Sequence, residues 1–87
     1  MKANHTTVKR KINIVKGQLD GILQMIDEDR YCIDVSNQLL ASISLLKSAN
    51  RDILKAHIRH CVSEALQSDA EHPELEEVFT LLEKMAD

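Results

Sequence analysis

YCIDVSNQLLASISLLKSANRDILKAHIRHCVSEALQS, from Tyr31 to Ser68, contains neither glycine nor proline. The two residues that most often interrupt a helix are absent from a span in which Val35, Leu39, Leu46, Ala49, Ile53 and Ala56 keep alternating steps of four and three, with Ser42 completing the series. That spacing predicts one long amphipathic helix. A second stripe through Ile33, Leu40, Ile43, Leu54, Ile58 and Val62 makes the apolar surface wider than packing on one side requires. The helix is therefore expected to be covered on more than one side, as in a bundle.

On the N-terminal side, Val8, Ile12, Val15, Leu19, Ile22 and Ile26 repeat the pattern and predict a helix from about Thr6 to Glu28, capped by Asn4 or Thr6. Gly17 and Gly21 lie one turn apart inside it. Each costs a helix interior up to about 1 kcal/mol, which close approach of another helix or of DNA would explain and which simple tolerance would also allow. Beyond the long helix, the polar run Ser68 to His72 ends at Pro73, a good first-turn residue. Glu74, Glu76 and Glu77 follow where negative charge favours a helix start, and Leu75, Val78, Leu82 and Met85 carry a short third stripe. The expectation is an all-α, three-helix subunit with one long central helix, forming a single domain over 1–87. At 87 residues, with one Tyr, one Phe and no Trp, the chain has little material for a self-contained core, so its Leu, Ile, Val and Ala faces should be shared between copies.

Charge is unevenly distributed. The net charge is −3, yet no acid precedes Asp20 while Lys2, Lys9, Arg10, Lys11 and Lys16 do. From Glu64 onward the balance reverses, with Lys84 the single base. A basic first helix suits a polyanionic partner, but charge by itself favours the plainer reading of a solvated face. No apolar run is long enough to span a membrane, and Met1 to Lys16 lacks the apolar stretch of a signal peptide, so a soluble, cytoplasmic protein is expected. In a reducing compartment two cysteines are more apt for metal or redox chemistry than for a structural bridge.

His57 and Cys61 are four residues apart, which on a helix projects both from one face, close enough to share a metal. Cys32 and Cys61 are 29 residues apart, and a continuous helix separates them by about 43 Å, too far for a common ligand within one chain. If two copies pair antiparallel about the midpoint between Leu46 and Lys47, each Cys32 meets the other copy's His57 and Cys61, giving two equivalent sites. Two thiolates and one imidazole form a soft three-donor set that suits Cu(I) and leaves zinc one ligand short unless water supplies it. Spacing alone leaves the alternative open, in which the cysteines are apolar fillers and His57 an ordinary polar residue. His60, His5 and His72 are expected at the surface. No nucleophile-base-acid order, glycine-rich phosphate loop or paired acid suggests catalysis, and no small-molecule substrate is expected.

Lys16-Gly17-Gln18-Leu19-Asp20-Gly21-Ile22, Asp29-Arg30-Tyr31-Cys32-Ile33-Asp34-Val35, Ala49-Asn50-Arg51 and His57-Ile58-Arg59-His60-Cys61 together resemble the CsoR/RcnR family of metal- and stress-responsive repressors, over nearly the whole chain from about Lys9 to Met85. The resemblance implies an antiparallel four-helix-bundle dimer, usually assembled as a dimer of dimers, without a helix-turn-helix. Copper sensors of that family carry Cys, His and Cys, here Cys32, His57 and Cys61. Nickel or cobalt sensors have His where this chain has Cys61, persulfide sensors lack the histidine that here is His57, and formaldehyde sensors have proline where this chain has Lys2. The family further implies that Tyr31 and Glu77 hydrogen-bond around the metal-bound histidine.

The function so implied is a Cu(I)-responsive repressor, active as a homodimer or homotetramer, that grips operator DNA when metal-free and releases it on copper binding. Its DNA surface would be Lys9, Arg10, Lys11 and Lys16 with Lys47, Arg51, Lys55 and Arg59, the last four recurring once per turn along the long helix. Such contacts hold phosphates and set salt dependence, leaving sequence choice largely to DNA shape. This first helix has fewer arginines than is usual in the family. Two alternatives remain at this level: a persulfide or redox sensor using Cys32 and Cys61, and a copper-buffering helical oligomer with no DNA role.

Overall fold

Three helices make up the computed structural model, in the order α1 (His5–Asp27), α2 (Cys32–Gln67) and α3 (Glu74–Met85). It describes residues 1–67 and 74–85, with no strand among them. The all-α, three-helix expectation holds with ends within about one residue of those read from the periodicity; the polar run 68–72 and Pro73 lie outside the described residues. Contacts divide the chain into two compact units, Asn4–Asp52 and a second made of Met1–Ala3 with Ile53–Asp87, whose boundary falls inside α2.

Asn4–Asp52 is a helical hairpin. Its first helix has no acid in the first turn to meet the helix dipole, and the cap falls to Asn4, whose side-chain oxygen accepts from the Thr7 N–H at 3.0 Å. The far end closes as a Schellman turn: the Arg30 N–H donates to the Met25 carbonyl at 2.9 Å and the Asp29 N–H to the Ile26 carbonyl at 3.0 Å. Asp29 supplies the left-handed residue at φ 57°, where glycine is the usual choice. Three residues after Asp29 α2 begins, with the Tyr31 carbonyl accepting from the Val35 N–H at 3.2 Å.

Antiparallel pairing of α1 with the first part of α2 follows from its cross-links. Gln18 reaches Ser42, while Lys11, two turns earlier on α1, reaches Ser48 and Asp52, later on α2. Val8, Val15 and Ile22, seven residues apart, are the buried members of the α1 stripe, and the small residues Ser42 and Ala49 are buried on α2. Small side chains on α2 let the two helices approach closely. The polar atom this buries is satisfied, because the Ser42 hydroxyl donates to Oε1 of Gln18 at 2.7 Å. Gly17 and Gly21 meet nothing: a Cβ built at either has no neighbour within 4 Å.

In the second unit Ala3, Leu54, Cys61 and Val78 are buried. Elsewhere the apolar stripes are only partly covered. Ile33, Leu40, Ile43 and Val62 of the second α2 stripe are exposed, as are Leu39 and Leu46 of the first and Phe79, Leu81 and Leu82 of α3.

Candidate metal centre

One turn of α2 brings His57 and Cys61 onto a common face, and their reactive atoms meet: Nε2 of His57 is 3.3 Å from Sγ of Cys61. Two ligands bound at roughly 2.0 and 2.3 Å to one tetrahedral metal are about 3.5 Å apart, so this pair needs little adjustment to become two corners of a metal site. The thiol is buried and the imidazole half-buried, so the pair is largely shielded from water. Were Nε2 to ligate a metal, Nδ1 would carry the ring proton and be the nitrogen that donates to an acceptor. His57 lines a cavity of about 420 Å³ that is also lined by Glu77 and Lys2, with Leu54, Val78 and Leu81 as its apolar wall.

Cys32 is the first residue of α2 and is exposed. It lines a groove of about 300 Å³ with Ile26, Val35 and Leu39 as its apolar part and Asp29, Arg30 and Ser36 as its polar edge. Tyr31, beside it, is 68% exposed. Among the described residues no three His, Cys, Asp or Glu side chains gather into a metal-holding group within one chain. The chain thus offers a prepared two-donor pair and, separately, one accessible thiol. Soft sulfur and imidazole donors of this kind fit Cu(I).

The remaining sequence candidates fall in three groups. His60 is held by Glu64 at 2.9 Å, His5 opens α1, and His72 lies outside the described residues. Lys9, Arg10 and Lys16 on α1 and Lys47, Arg51, Lys55 and Arg59 on α2 are exposed. Lys11 is disposed differently: its Nζ donates to Oγ of Ser48 at 2.8 Å and forms an ion pair with Oδ2 of Asp52, leaving the side chain 18% exposed. Periodicity gave no sign that Lys2 would line the His57 cavity, since it precedes the first helix. Asp52 carried a weak signal, as the only acid between Asp34 and Glu64.

The family model described as a metal-sensitive transcriptional repressor matches residues 4–84. The chain is 44% identical over 57 residues to the copper-sensing transcriptional repressor RicR of Mycobacterium tuberculosis, a match covering 66% of this chain and 59% of that protein's length. It is 31% identical over 87 residues to the copper-sensing transcriptional repressor CsoR of Bacillus subtilis, covering 93% of this chain and 86% of the relative. Among solved structures, the copper-sensing repressor CsoR with Cu(I) from Geobacillus thermodenitrificans aligns with a TM-score of 0.82 and 26% identity, over 94% of this chain and 85% of that one. Its helices, its paired imidazole and thiol and a family match over nearly its whole length agree: the chain belongs to the family of metal-sensitive transcriptional repressors.

Proposed function

We propose that this chain is a Cu(I)-responsive repressor whose metal-free oligomer binds operator DNA and whose metal-bound form releases it. The observation that carries the reading is the His57–Cys61 pair, with 3.3 Å between Nε2 and Sγ and the thiol buried. Two soft donors supply part of a Cu(I) site, and Cys32 of a second copy is the further soft donor that antiparallel pairing of α2 would bring to them. Relatives named as copper-sensing repressors and a solved relative holding Cu(I) support the same assignment.

Cys32 of one copy with His57 and Cys61 of another would hold Cu(I), whose chemistry there would be to link soft donors of the two copies. The rest is the work of the chain's own groups. His57, ligating through Nε2, presents its Nδ1–H to an acceptor, and Glu77 lines the same cavity. A hydrogen bond between them ties the occupied site to α3, while Tyr31, carried beside Cys32, reaches the site from the second copy. DNA is held by Lys9, Arg10 and Lys16 of α1 with Lys47, Arg51 and Lys55 of α2, all exposed. The exposed apolar faces of α2 and α3 favour a homodimer that assembles further into a tetramer.

The test is an anaerobic titration of Cu(I) against a competing chelator, for the native chain and His57→Ala, read beside operator binding by fluorescence anisotropy. One Cu(I) per subunit should weaken operator binding by roughly 5- to 150-fold, the usual range of allosteric coupling. His57→Ala should lose tight Cu(I) binding and release together. Operator affinity indifferent to Cu(I) would remove copper as inducer, and a full response to persulfide in His57→Ala would reassign the site to sulfur sensing.

A further inference from the structure

Of the basic residues on α1, Lys11 alone is drawn inward. Lys9, Arg10 and Lys16 are exposed, whereas the Lys11 ammonium donates to Ser48 and is neutralised by Asp52, two α2 residues one turn apart. The neighbours of this pair face solvent. Arg10 precedes Lys11 on α1 and Arg51 precedes Asp52 on α2, both exposed guanidinium groups of the surface assigned above to DNA. Lys11 itself is a cation whose charge is cancelled by the only acid on α2 between Asp34 and Glu64. A carboxylate here makes the contact a phosphate oxygen would make, a charge-assisted hydrogen bond with a lysine ammonium.

We propose that Asp52 acts as an internal phosphate mimic that withholds Lys11 from DNA and so sets operator affinity below what the basic surface could reach. Each phosphate neutralised by a lysine adds about 0.9 to the slope of log affinity against log salt, which at 0.15 M amounts to about fivefold in affinity per contact. A repressor that must let go on a modest allosteric signal gains from one contact fewer, because the same coupling then carries it across the threshold of release. Asp52 is in this sense a positioning residue for affinity: it touches the lysine and leaves the nucleic acid to the exposed cations. The inference rests on the DNA-binding reading above.

Operator binding of the full chain, measured across a salt series, tests it with four proteins: native, Asp52→Asn, Lys11→Gln and the double variant. Asp52→Asn should bind more tightly and steepen the salt slope by about 0.9 per contacting subunit. Lys11→Gln should leave the native slope unchanged, and Asp52→Asn made in the Lys11→Gln background should not steepen it. A Lys11→Gln slope shallower than native would overturn the proposal, since Lys11 would then reach phosphate despite Asp52, and this arm stands even if Asp52→Asn fails to fold. Equal steepening by Asp52→Asn with and without Lys11 would also overturn it, as the effect would then be general charge removal. Failure of the native chain to bind operator at any salt would instead sink the DNA-binding reading, and with it the inference.

Discussion

Two single positions carry more local consequence than their burial suggests. Asp29 holds the left-handed corner between α1 and α2 at φ 57°, a conformation costing a side-chain-bearing residue roughly 1 kcal/mol relative to glycine. Asp29→Gly is therefore expected to stabilise the chain by a few tenths to about 1 kcal/mol, seen as a higher midpoint in chemical denaturation; a lower midpoint would mean the carboxylate contributes more than the backbone loses. Ser42 is the opposite case. It is buried at 3% exposure with its hydroxyl donating to Gln18, and Ser42→Ala leaves Oε1 of Gln18 without that donor at a cost of about 1 kcal/mol. An unchanged denaturation midpoint would show that water replaces the serine.

At the scale of elements, α1 contains a stability reserve that the chain does not use. Nothing lies within 4 Å of a Cβ at Gly17 or Gly21, so Gly17→Ala should gain about 0.5–1 kcal/mol from helix propensity alone. If that variant is more stable to heat yet binds operator less well, the bare backbone beside Lys16 is where DNA or a second copy approaches; unchanged binding would make the glycine a tolerated defect. The helices themselves were legible before any coordinates, because a stripe in steps of four and three is a local property of the chain. The break near residue 30 and a third helix opening around Pro73 and Glu74 followed from neighbouring residues, and of the two caps they allowed, Asn4 and Thr6, the chain uses Asn4. Cys61 against His57 was legible for the same reason, as a contact one turn apart. The Lys11–Asp52 pair spans 41 residues and the lining of the His57 cavity by Lys2 spans 55, and no periodicity encodes which side chain of one helix meets which of another. Sequence could rank Lys11 with its basic neighbours; only packing separates it from them.

For the whole molecule the decisive question is whether a site is built by one chain or two. Cys32→Ala and Cys61→Ala homo-oligomers should each fail to bind Cu(I) tightly, but unfolding and refolding an equal mixture creates hybrids in which an intact Cys32 faces an intact His57 and Cys61. Random pairing should restore about a quarter of native capacity in a chelator competition, since half the dimers are hybrids and each holds one good site. No recovery would argue for sites contained in single chains. The proposed sharing of the apolar stripes left open on α2 and α3 predicts that thermal stability rises with protein concentration. A final consequence is optical. With no tryptophan and a single tyrosine, exposed and next to Cys32, emission excited beyond the absorption band of Phe79 originates from one phenol beside that thiol. Quenching or enhancement of that emission therefore reports events at Cys32 directly, with no label.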